Sequence, residues 1–162
     1  MRYLLGVILI GIVVVQTANL STVVYPVAAQ RQNRLQDAAI KTGIGDPGEK
    51  ILTAVSIASK QTGLSQELIL SLMYTESSLN IKAVSSKNYQ GLMQIPHSNL
   101  LLHGEEDVNT LIGAKILLEK IALTQGDLRK AIVLYKGYPP ASSKGLLHAD
   151  KVLSLVRKLK EV

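Results

Sequence analysis

Glu76 is the residue whose placement most invites chemistry. Leu68, Ile69, Leu72 and Met73 form an apolar stripe at helical spacing, and Glu76 follows Leu72 by four residues and Met73 by three, so its carboxylate falls on the face that should be buried. It also falls near the C-terminal end of that helix, which Ser65 is placed to cap. Burial desolvates an acid there and the helix dipole sets negative charge beside it. Both effects favour the protonated form. A carboxyl that keeps its proton near neutral pH can protonate a departing oxygen, which is the requirement for general-acid cleavage of a glycosidic bond. On this pattern alone, a helix-terminal surface acid explains Glu76 equally well.

Other chemistries find less support. Glu67 lies in an exposed first turn, Glu105, Glu106 and Asp107 form an acidic loop and cap, and Asp150 opens the last helix, so a two-carboxylate glycosidase is disfavoured. His97, His103 and His148 are scattered, with no His-Glu-x-x-His pattern and no cysteine to join them. Solvated loop histidines and no metal are expected, and no other cofactor is implied. There is no Gly-rich phosphate loop, and aromatic side chains are not interleaved with the basic ones, which argues against nucleic acid as a partner.

The elements that must position Glu76 are helical. The chain has 162 residues, 47% of them hydrophobic, with tyrosine as its only aromatic type, so a core of Leu, Ile, Val, Ala and Met is required and an all-α domain is favoured. Its formal charge of +6 suits anionic surfaces such as wall polymers or lipid head groups. Asp46-Pro47-Gly48-Glu49 carries the marks of a helix start and Gly63 those of a stop, predicting a helix over Pro47–Thr62 that buries Ile51, Val55 and Ala58. After the Ser65 helix, Ser77 to Tyr89 reads as a loop and Gly91 to Pro96 as a short apolar segment, with no strand-period pattern. A third helix starts at Asp107 with Val108, Leu111, Ile112, Leu118 and Ala122 inward and ends at Gly126. A fourth runs from the Asp127 cap to Tyr135, and Gly137-Tyr138-Pro139-Pro140 forces a loop. A last helix, about Leu147 to Lys160, should bury Val152, Val156 and Leu159.

Three regions follow. Residues 1–29 are a signal peptide or membrane anchor, since the apolar run Tyr3 to Val15 behind Arg2 shows no polar face; this places the protein outside the cytoplasm, periplasmic or on the outer face of the inner membrane. Residues 30–45 read as a spacer or weak helix, and residues 46–162 as the catalytic domain.

Tyr74-Thr75-Glu76-Ser77-Ser78-Leu79-Asn80, followed by Gly91-Leu92-Met93-Gln94-Ile95-Pro96, resembles the paired signature of the soluble lytic transglycosylase catalytic domain, a lysozyme-like fold. The resemblance continues through Asn109 and Gly113 to Leu117, then Ala131 to Tyr135, and so covers roughly residues 51–159. It implies peptidoglycan glycan strands as substrate and one acid, Glu76, that protonates the leaving sugar and then takes a proton from the muramic acid 6-hydroxyl, closing a 1,6-anhydro ring. It further implies Ser77 as the hydroxyl beside the acid, Met93 and Gln94 in a wall of the sugar cleft, Gln94 hydrogen-bonding substrate, and Tyr135 near the acid. The small specialised members of this type, which serve secretion or conjugation machinery, are the nearest in size. One departure stands out: the family usually follows its Tyr with Asn, whereas Tyr135 precedes Lys136. A lysine turned toward Glu76 would favour the carboxylate over the acid. A non-catalytic wall-binding or assembly module on the same fold, and a hydrolytic lysozyme, are the alternative readings.

Overall fold

The computed structural model describes residues 29–96 and 106–162. The leader, His97, His103 and Glu105 lie outside the described residues. Two compact units are distinguished, one ending at Arg34 and one running from Leu35 to Val162; the described part of the first, residues 29–34, is helical.

The second unit is built from helices. Its residues 35–41 are helical (α1), so most of the segment read as a spacer or weak helix takes the helical form, and Leu35, Ala38, Ala39 and Ile44 join the core. Leu35, Ala38 and Ala39 stand at i, i+3 and i+4, a single face. Helices α2 (Gly48–Thr62) and α3 (Gln66–Ser77) follow, then α4 (Glu106–Leu123), α5 (Leu128–Tyr135) and α6 (Ser143–Glu161). Helix α2 packs chiefly on α4, α3 on α6, and α5 on both α4 and α6. Helix α3 is buried at Gln66 and from Leu68 through Met73, and therefore carries Glu76 out of the middle of the core.

Local chemistry accounts for the ends. The Ser65 hydroxyl accepts from Leu68 N and the Asp127 carboxylate from Lys130 N, the caps their sequence positions indicate. Gly63 closes α2 in the left-handed region at φ 75°.

Three expectations are corrected. Tyr89–Gln90 (β1) and Ile95–Pro96 (β2) pair antiparallel, Tyr89 opposite Pro96, with a bridge from Val84 to Gln90; strands this short carry too little alternation to show in the sequence. Helix α4 turns Asn109, Thr110, Gly113, Ala114 and Leu117 inward, while Leu118 and Ala122 are exposed. Its buried stripe is made of small and polar residues because α4 lies close to the β1–β2 turn: a Cβ on Gly113 would come within 2.4 Å of Met93 Cβ. Helix α6 begins four residues earlier than its apolar pattern suggests, at Ser143, capped by the Ser142 hydroxyl accepting from Gly145 N. That extension places His148 in the second turn of the helix rather than at its start.

Candidate active site

Helix α3 ends with Ser78 and Leu79 both in the left-handed region, at φ 53° and 62°, which turns the chain sharply away and leaves Glu76 at the mouth of the loop that follows. The Glu76 side chain is 2% exposed, although it is the penultimate residue of the helix. Two bases meet it. Lys136 Nζ lies 2.5 Å from Oε2, and His148 Nε2 lies 3.2 Å from Oε1. The first is a charge-assisted hydrogen bond. The second has the distance of an ion pair but not the alignment of a hydrogen bond, for both atoms remain buried without such a partner. Distance alone makes it a contact, and we treat it as one.

Helix α5 delivers Lys136. Its backbone N–H caps the helix onto Ile132 and Leu134 carbonyls, and Gly137 at φ 79° turns the chain back so that Tyr138 N reaches Val133 O. Helix α6 delivers His148 by close approach: a Cβ on Gly145 would lie 2.7 Å from Val133 and 2.9 Å from Tyr138. His148 stands four residues before buried Val152, on the same stripe, and its side chain is 14% exposed. The sequence reading of a solvated loop histidine fails because His148 falls on the inward stripe of α6, one turn before Val152. That four-residue spacing was the signal that pointed to it.

A cleft of about 310 Å³ opens over the acid. Ser85, Ser86, Lys87 and Tyr89 form one side, and Tyr135, Lys136, Gly137 and Tyr138 the other, with Glu76 and Gln94 also in the lining. Glu76, Gln94 and Tyr135 are thus brought together. Ser77 and Met93 are not in the lining: the Ser77 hydroxyl donates to Met73 O at 3.0 Å, and the Met93 side chain is fully buried against Gly113. Met93 contributes its backbone instead, donating N–H to Asn109 Oδ1 at 2.8 Å and accepting from the Tyr135 hydroxyl at 2.7 Å. Gln94, at φ 47°, donates its amide to Gly91 O and Ala83 O. Among the described residues no group of three His, Asp or Glu could hold a metal ion.

Tyr135 is partly buried at the cleft, and its phenol is pushed well above its ordinary value of 10.0, by desolvation first and by the Glu76 charge second. It therefore stays a hydrogen-bond donor to Met93 across the neutral range. Because the folded state holds the proton more tightly than the unfolded chain, this contribution is intact below about pH 10 and fades as pH rises through the folded-state value. Tyr135→Phe is expected to cost about 1 kcal/mol at pH 7 and progressively less above pH 10. Urea unfolding of both proteins at pH 7 and pH 11 measures it; an equal cost at both would exclude a stabilising phenol.

Residues 53–144 match the transglycosylase SLT domain family. The chain is 37% identical to the membrane-bound lytic murein transglycosylase C of Mannheimia succiniciproducens and 38% identical to that of Actinobacillus succinogenes, each alignment covering 41% of this chain and 23% of the relative. It thus spans about a quarter of the length of the curated relatives it matches. The structure resembles that of an inactive mutant of the lytic transglycosylase Slt from Pseudomonas aeruginosa, with a TM-score of 0.59 over 67% of this chain and 24% of that one at 18% identity, a likeness of fold. With the match spanning more than half of its length and the helical architecture agreeing, the chain belongs to the transglycosylase SLT domain family.

Proposed function

We propose that this protein is a peptidoglycan lytic transglycosylase in which Glu76 serves as acid and then as base. One observation carries the reading: a carboxylate that is 2% exposed sits in the lining of a cleft and, among the described residues that line it, has no second carboxylate beside it. A single acid suits a reaction whose nucleophile is the substrate's own hydroxyl. Glu76 gives its proton to the leaving oxygen as the glycosidic bond breaks, and the resulting carboxylate takes the proton of the muramyl 6-hydroxyl as that oxygen bonds to the anomeric carbon. The carboxyl ends as it began, and no water is consumed. Family membership and the names of the relatives support the substrate class. The apolar run Tyr3 to Val15 and the membrane-bound relatives support export to the cell envelope.

Mass spectrometry of fragments released from purified peptidoglycan tests this. Anhydro-muramyl ends establish the transglycosylase, and reducing ends would replace it with a lysozyme.

The Lys136–Glu76 pair favours the rival reading of a non-catalytic glycan-binding module, since the Lys136 hydrogen bond occupies Oε2, the carboxylate oxygen on the cleft side. Lys136→Met removes the charge and the hydrogen bond to Oε2 at a similar side-chain length. Fragment release at pH 7 is expected to rise several-fold because Oε2 is freed for the leaving oxygen; a slower variant would make Lys136 itself necessary for the reaction.

A further inference from the structure

Glu76 Oε1 and His148 Nε2 are both buried, 3.2 Å apart, and neither has a hydrogen bond. An unpaired buried polar atom is costly, and here two lie side by side. One proton between them satisfies both. The imidazole ring swings easily about its second torsion, and a small rotation supplies the missing alignment. The two carboxylate oxygens are differently placed: Oε2 meets Lys136, a cleft-lining residue, whereas Oε1 meets His148, which is not in the lining.

We infer that His148 is a positioning residue that donates its Nε2 proton to Glu76 Oε1 and so makes Oε2 the oxygen that gives and takes the proton in the cleft. This rests on the lytic transglycosylase reading. When the proton on Oε2 moves to the leaving oxygen, the O–H bond of Glu76 breaks and a carboxylate forms. The His148 N–H then faces a full negative charge, and its hydrogen bond strengthens at that moment. When the 6-hydroxyl proton returns to Oε2, the bond relaxes. The other ionisable groups facing the pair are Tyr135 and Lys136 from α5; the phenol is spent on Met93 O and the ammonium on Oε2, so neither competes for Oε1.

The test uses the full chain and three variants, with kinetics of anhydro-muramyl release and the imidazole N–H resonances. His148→Phe fills the volume without a donor, and His148→Gln keeps a donor at similar reach. His148→Phe should lower kcat about tenfold with KM within about twofold, and His148→Gln should recover most of the loss. The His148 Nε2–H resonance should lie downfield and move upfield in Glu76→Gln, where the acceptor is neutral. An unchanged kcat in His148→Phe, or a resonance indifferent to Glu76→Gln, overturns the inference. A resonance that moves in a protein releasing no anhydro product supports the hydrogen bond and removes the transglycosylase reading instead.

Discussion

Glu76→Gln is expected to lower the release of anhydro-muramyl fragments by about a thousandfold or more, since one group performs both proton transfers and each is worth roughly a hundred- to ten-thousandfold. The substitution is close to isosteric, and the one amide oxygen of glutamine can still accept a hydrogen bond from Lys136 or from His148. The cleft should therefore survive, and glycan binding with it. What disappears is the proton that can be given and taken. Turnover of purified peptidoglycan, with calorimetry to confirm a folded protein, makes the measurement. A folded Glu76→Gln with wild-type release would remove Glu76 from the chemistry and move the search to whatever else in the cleft can hold a proton, of which Tyr135 already donates to Met93 O.

The parts of the fold that were legible in the sequence are those whose cause is local. Ser65 and Asp127 cap because a short polar side chain before an apolar helix has one good use, and both do so. Glu76 was legible because it breaks an otherwise apolar stripe. The inward face of α4 was not, because close packing selects small side chains there, and Gly113 and Asn109 weigh little in a hydrophobic pattern although both are required by contact with Met93 and Gln90. His148 was hidden because a histidine adds nothing to the apolar stripe that ends in Val152 and Val156. Lys136 could be flagged from its neighbour Tyr135, but that it meets Glu76 across sixty residues of sequence is a fact of tertiary structure.

Gly91 is the position where one methyl group should do the most damage to the fold and the site together. It occupies the left-handed region at φ 74°, and an added Cβ would come 2.4 Å from Asn109 Nδ2 and 2.7 Å from its Cγ. The asparagine cannot yield cheaply. Its Oδ1 accepts from Met93 N and its Nδ2 donates to Gln90 O, so the one amide ties both arms of the β1–β2 turn to α4. Gly91→Ala therefore combines the left-handed strain of an L-residue with loss of the clamp, about 3 kcal/mol in all. Urea unfolding should show this as a lower midpoint at unchanged slope. Asn109→Ala isolates the two parts: in that background Gly91→Ala should cost only the backbone strain, about 1–2 kcal/mol, because the clash partner is gone. Full additivity would mean that the clamp does not exist. The site should suffer as well, since Gln94 is anchored to Gly91 O and Tyr135 to Met93 O, so a turn that shifts carries one cleft-lining residue with it and releases the other. Fragment release by Gly91→Ala should accordingly fall even under conditions where the variant remains folded, whereas a change confined to stability would show that the turn supports the fold without shaping the cleft.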